Sequence, residues 1–137
     1  MDLSIIIKQG IGEVKLHMPI EEVSAILGQA SDVESIDNAM DEVTTVLRYD
    51  DMGLTLFFEG DNPTLECIDI NNDEATLLGK HIFEMTEREI VSLMVANNYT
   101  EQDIDSEDWG ERRISFPEAN IDFYLDGGEL ASVIIGA

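Results

Sequence analysis

Cysteine, basic residues, tryptophan and long apolar runs are all scarce in this chain, and each scarcity excludes something. A single cysteine, Cys67, rules out an intrachain disulfide, so cytoplasmic location is the expectation. No apolar run approaches the roughly 18 residues of a membrane span. The opening MDLSIIIKQG has neither the basic start nor the long apolar stretch of a signal peptide. Only 7 Lys and Arg face 30 Asp and Glu across 137 residues, for a net charge of −23. Such a chain repels phosphate backbones and anionic headgroups, so neither nucleic acid nor a membrane surface is an expected partner. A basic protein is.

What is present is enough to fold. At 44% apolar the chain can fill a core, which argues against charge-driven disorder. Its length fits one domain, 1–137, and that domain divides into two repeats, 1–73 and 74–137. A shift of 67 positions brings Gly12 onto Gly79, Met18 onto Met85, Glu22 onto Glu89 and Val23 onto Ile90. The same shift carries Leu47, Tyr49, Leu54 and Leu56 onto Ile114, Phe116, Ile121 and Phe123, and Gly60 onto Gly127. The offset then slips to 65, matching Leu65, Ile68 and Ile70 with Leu130, Val133 and Ile135.

Each copy reads as a helix followed by three strands. Ile20, Val23, Ile26 and Leu27 recur at helical spacing between Pro19 and Gly28. In the second copy Thr86 and Glu89 form a T-x-x-E capping box, with Met85 placed as a hydrophobic staple. VTTVLRYDD, GLTLFFEG and LECIDI are predicted strands, as are RRISFPEA, NIDFYLDG and ELASVII. Apolar residues alternate with charged ones in NIDFYLDG, so one sheet face is packed and the other is wet. Short turns require antiparallel neighbours. Leu3–Lys8 is expected to add an edge strand. The spacing of Val33, Ile36, Met40 and Val43, after Ser31 and Glu34, predicts a short helix over 31–43. Thr100–Asp108, without that pattern, is expected to be a loop. The fold expected is therefore α+β: two tandem αβββ repeats forming a continuous antiparallel sheet with helices packed on one face.

Catalytic and metal-binding patterns are all incomplete in this sequence. The run Asp69–Glu74 has oxygen ligands at loop positions 1, 3 and 5, but no glycine at position 6, and Lys80 stands where a calcium loop needs glutamate. The run starting at Asp103 fails the same way. His17 and His81 occupy no zinc spacing, and no serine sits in a G-x-S-x-G context. Gly10-Ile11-Gly12 begins a dinucleotide fingerprint that Lys15 breaks. No catalytic residue, metal or cofactor is expected.

The acids cluster between helix and strands in each copy. In the first they are Glu34, Asp37, Asp41, Glu42, Asp50 and Asp51; in the second, Asp103, Asp105, Glu107, Asp108 and Glu111. Beside the second set stands the only tryptophan, Trp109. It is either an aromatic anchor facing a basic partner or a residue folded inward to close the open end of the sheet, as a lone Trp commonly does. Residues 1–73 hold 16 acids and 3 bases, and 74–137 hold 14 and 4, so the charge belongs to both repeats rather than to a tail.

The segment G-I-G-E-V-K-L-H-M-P-I-E-E-V-S-A-I-L-G resembles a recurring bacterial module. Its marks are a short strand, an M-[S/T/P]-x-x-E-V helix start, a Leu-Gly helix end and antiparallel strands. The module occurs in β-lactamase-inhibitor-protein-like folds and in the SmpA/BamE lipoproteins, and the tandem arrangement is similar to the former. It also resembles small cytoplasmic proteins of bacterial toxin–immunity loci. The secreted members' signal peptide, lipobox cysteine and disulfides have no counterpart here, so the resemblance implies an architecture and a sheet used as a protein-binding surface. The expected function is that of a non-enzymatic acidic protein, monomer or weak dimer. It would neutralise a basic protein, most concretely as an immunity protein against a nuclease-type toxin domain. A nucleic-acid mimic or a regulatory module binding a basic cellular protein is the first alternative, and an enzyme with an unrecognised acidic metal site the second.

Overall fold

The structure, a computed structural model, describes residues 2–37 and 43–136. The chain is α+β. A small sheet forms from β1 (Ser4–Ile6), β2 (Gly10–Ile11), β3 (Val14–Lys15), β8 (Thr76–Leu77) and β9 (Lys80–His81), in the order β3-β2-β1-β8-β9. A large antiparallel sheet holds β4 (Asp32–Asp37), β5 (Val43–Tyr49), β6 (Leu54–Glu59) and β7 (Thr64–Ile70), joined by β10 (Asp103–Ser106), β11 (Glu111–Phe116), β12 (Ile121–Asp126) and β13 (Glu129–Gly136). Its order is β10-β11-β12-β13-β7-β6-β5-β4, a palindrome about the β13–β7 seam. The helices are α1 (Ile20–Leu27) and α2 (Glu87–Ala96). No helix among the described residues is long and apolar enough to cross a membrane.

Alternation along the strands decides what is buried. In β6, Leu54, Leu56 and Phe58 are buried while Thr55, Phe57 and Glu59 are not. In β12, Ile121, Phe123 and Leu125 follow the same rule. These residues share one continuous core with Val23 and Leu27 of α1, Ile90 and Met94 of α2, and Ile5, Ile11 and Leu77 of the small sheet. Phe116 and Phe123 meet edge to face, their ring centroids 5.8 Å apart at 86°, the arrangement that ring quadrupoles favour. The Tyr49 hydroxyl donates to the Gly28 carbonyl at 2.9 Å, tying the end of α1 to β5.

Helix starts follow local chemistry. The Glu89 N–H donates to Thr86 Oγ1 at 3.2 Å and the Thr86 N–H to Glu89 Oε1 at 3.0 Å, so the capping box read from the sequence is formed. Pro19, without a donor, is the N-cap of α1. Between β5 and β6 the chain turns through Gly53 at φ 64°, where a Cβ would run into the Asn71 carbonyl oxygen. Only glycine fits that turn.

Three expectations are corrected. Residues 32–37 form strand β4 rather than a helix: Ser31 Oγ accepts from the Asp50 N–H at 3.0 Å instead of capping, and Val33 and Ile36 pair with Leu47 and Thr44 of β5. Met40 lies outside the described residues. Thr100–Asp108 is not all loop, because Asp103–Ser106 pairs with Arg112–Ser115 as β10. Each half of the chain thus supplies four strands to the large sheet, not three. Finally, Ser4–Ile6 is no edge strand. It lies inside the small sheet, antiparallel to β2 and parallel to β8, because Ile5 is buried between Ile11 and Leu77.

Candidate functional site

The second face of the large sheet is built by the residues that the core alternation leaves over. Bulges reset the phase at matching places. The β6–β7 register shifts at Phe57/Phe58, so Cys67 pairs with Phe57 and Asp69 with Thr55 on the side away from Ile68. The β12–β13 register shifts at Tyr124/Leu125, so Ser132 pairs with Tyr124 and Ile134 with Asp122. One residue per strand then makes a continuous row: Asp32, Arg48, Thr55, Asp69, Ile134, Asp122, Ser115 and Asp103. Two clefts open on this face, and strand and turn residues line both. The larger, of about 680 Å³, has Tyr124, Ile134 and Ala131 among its lining residues, with Asp69, Asp105, Glu107, Glu111 and Asp126. The smaller, of about 480 Å³, lies beside it across Asp69 and Ser132 and reaches Asp50 and Asn71.

The acidic residues singled out from the sequence fall into two separated groups. Glu34 and Asp37 are on β4, and Asp50 and Asp51 are in the turn after β5. Asp41 and Glu42 lie outside the described residues. Asp103 and Asp105 are on β10, Glu107, Asp108 and Trp109 in the turn that follows, and Glu111 opens β11. Edge strands β4 and β10 are seven strand steps apart; at about 4.8 Å per step that is roughly 34 Å along the sheet. The groups therefore do not converge. Trp109 does not fold inward either. It is 69% exposed, carried on the tight turn that the Glu107–Glu111 hydrogen bond closes.

Local pairing distinguishes the two edges. Arg48 places Nη1 3.1 Å from Asp32 Oδ2 and Nη2 2.9 Å from Glu34 Oε2, so one guanidinium serves both acids of β4. On the other side Arg113 Nη2 reaches Asp103 Oδ2 only at 3.5 Å, and Arg112 Nε turns to Glu87 of α2 at 2.7 Å. Among the described residues, Asp105, Glu107, Asp108 and Glu111 have no basic partner within ion-pair distance. Asp105, Glu107 and Glu111 line the large cleft together with Arg112 and Arg113, whose ion pairs go to Glu87 and Asp103.

Sequence reasoning missed the centre of the face. Asp69 lines both clefts, and its Oδ1 is buried with no hydrogen-bond partner among the described residues. Burial raises its pKa above the ordinary aspartate range. The signal was available: an acid between Ile68 and Ile70 in a strand must face the side opposite both. The folded-state pKa exceeds the unfolded value, so in the window between them the folded chain binds more protons and stability falls as pH rises. Asp69→Asn is accordingly expected to melt a few degrees higher than the wild type at pH 7. That gain should vanish below the ordinary aspartate value of 3.8, where the native carboxyl is already protonated. Thermal melts at both pH values check this, and an equal gain at both would refute it.

Cys67 belongs to the same face. Its thiol is pushed up to about 11, first by burial and then by the negative charges of Asp69, Asp122 and Glu59. At pH 8 the thiolate share is then about one in a thousand, on the order of a hundredfold below that of an unburied thiol. Ellman's reagent should react that much more slowly with the folded chain than with the chain in denaturant. A thiol that reacted equally fast in both would place Cys67 outside this acidic surrounding. Among the described residues no His, Cys, Asp and Glu side chains gather as a metal-ligand set. Carboxylates beside Tyr124, Ala131 and Ile134 can hold cationic and apolar groups together. No family model, curated protein or solved structure matches this chain.

Proposed function

We propose that this chain is a non-enzymatic, cytoplasmic acidic binding protein that neutralises a basic protein partner, most specifically an immunity protein against a nuclease-type toxin. The observation that carries the proposal is the second face of the large sheet: a cleft lined by Tyr124, Ala131 and Ile134 and by five carboxylates that outnumber its two arginines, Arg112 and Arg113, whose ion pairs go to Glu87 and Asp103. A domain does not keep unpaired like charges beside a half-buried apolar floor without cost, since their repulsion opposes folding. A cationic partner would remove that cost on binding. Carboxylates presented in this way can stand in for the phosphates that a nuclease surface attracts, and can steer rapid encounter.

The architecture proposed to support this face is a tandem duplication. The palindromic strand order and the matching bulges fit two αβ units related by a pseudo-twofold axis at the β13–β7 seam, with both helices on the core side. β12 lies 67 residues after β6 over its whole length, in accord with the sequence offset. The likeness to inhibitor-type modules supplies a precedent for such a sheet acting as a docking surface.

The test is a titration of the purified protein with purified basic nuclease domains as NaCl rises from about 0.05 M to about 0.5 M. Inhibition of one nuclease, with affinity falling at least roughly tenfold across that range, is the expected result. Affinity that ignored salt would remove the electrostatic mechanism, and binding without inhibition would remove the immunity function.

A further inference from the structure

We infer that β10 receives an extended, cationic strand of the partner, so that recognition proceeds by adding a strand to the edge of the large sheet. This rests on the basic-partner reading above and names how that partner is held.

In antiparallel pairing, a strand offers only alternate residues to a given neighbour. The Glu107 N–H donates to the Glu111 carbonyl at 2.7 Å, and the register keeps Asp105 opposite Arg113 and Asp103 opposite Ser115 in the same phase. The main-chain groups of Ile104 and Ser106 therefore point off the sheet. Among the described residues β10 pairs with β11 alone. A free edge of this kind is a template for another strand.

Side chains select the occupant. Asp103 and Asp105 lie on the cleft side of β10, and Ile104, 46% exposed, lies on the other. The incoming strand should therefore alternate Lys or Arg with apolar residues, one set meeting the carboxylates and the other covering Ile104. Trp109, just past the strand, can stack on a guanidinium or an aliphatic stem. A second copy of this chain is a poor occupant, because both of its edge strands carry acids: Asp32 and Glu34 on β4, Asp103 and Asp105 on β10. Of the two edges β10 is favoured, since the acids of β4 already share Arg48.

The test uses two capped peptides of about six residues and identical composition, one alternating lysine with valine and one with the lysines and valines in separate blocks. Binding and amide hydrogen exchange are measured on the full chain at low salt. The alternating peptide should bind roughly tenfold tighter than its isomer and slow exchange at the Ile104 and Ser106 amides. Ile104→Pro removes an outward N–H and no bond to β11, so it should abolish that preference, while Ile104→Thr should largely keep it. Unchanged amide shifts in β12 and β13 establish that both variants are folded. Equal binding of the two peptides, without protection at Ile104 and Ser106, overturns strand addition but leaves a basic partner in place. Binding of neither peptide overturns both.

Discussion

Phe123→Ala should destabilise the protein by about 3–5 kcal/mol, the usual range for deleting a fully buried aromatic ring. Phe123 is 0% exposed, and it sits in β12 opposite Val133 of the seam strand β13. The loss has two parts. The ring leaves a cavity that surrounding Leu, Ile and Val side chains fill only partly. Its edge-to-face contact with Phe116 also disappears, which adds about 0.5–1.5 kcal/mol beyond buried area. Because a domain of this size has only about 5–15 kcal/mol to lose, the variant is expected to be close to unfolding at 37 °C. Urea denaturation measures it. A loss under about 1 kcal/mol would mean that the ring is not part of the continuous core.

Salt should stabilise this protein rather than weaken it. Each of the ion pairs at Arg48, Arg112 and Arg113 is solvent-exposed to a substantial degree, and such pairs contribute about 0–1 kcal/mol that salt erodes. Against them stands the mutual repulsion of 30 acids balanced by 7 bases, which salt also screens. Repulsion has far more members, so its relief wins. Raising NaCl from about 0.02 M to about 0.5 M shortens the Debye length several-fold, and the melting temperature should climb by roughly 5–10 °C. A falling melting temperature would show that the arginine pairs, not the repulsion, dominate the electrostatics.

How much of this was legible in the sequence depends on how each residue's environment is set. Strands β5, β6, β7, β11, β12 and β13 were readable because one side of each is buried, which imprints a period of two. The capping box at Thr86 was readable because it is complete within four residues. β4 and β10 were not, because they are edge strands exposed on both sides over residues 32–36 and 103–106. Burial leaves no period there, and Val33 and Ile36 can mimic helical spacing. Only pairing with β5 and β11 fixes their conformation. The parallel join of β1 to β8 links residues some 72 positions apart through strands of two or three residues, too short to carry any pattern.

The candidate site was half legible. Acid-rich segments were easy to find, yet their separation on opposite edges follows from strand order, which the sequence did not specify. Asp105, Glu107 and Glu111 came together at one cleft, next to the turn that carries Trp109, as a local cluster must. Alternation with Ile68, Ile70, Phe123 and Leu125 sets which way Asp69, Asp122 and Tyr124 face, but the bulges at Phe57/Phe58 and Tyr124/Leu125 set which cross-strand residues they meet. A bulge shifts phase by one residue and leaves little trace in composition.

The most direct measurement compares where charge is removed, not how much. Asp105→Asn, Glu107→Gln and Glu111→Gln together neutralise three acids at the large cleft. Glu13→Gln, Asp61→Asn and Glu84→Gln neutralise three acids outside both clefts. Association rates of wild type and both triple variants with one basic nuclease domain are then measured by stopped flow at low salt. If the cleft face is the docking surface, the first variant should associate roughly tenfold more slowly while the second stays within about twofold of wild type. Equal slowing by both variants would contradict the account, because the charge would then act as a diffuse, solubilising field with no binding face.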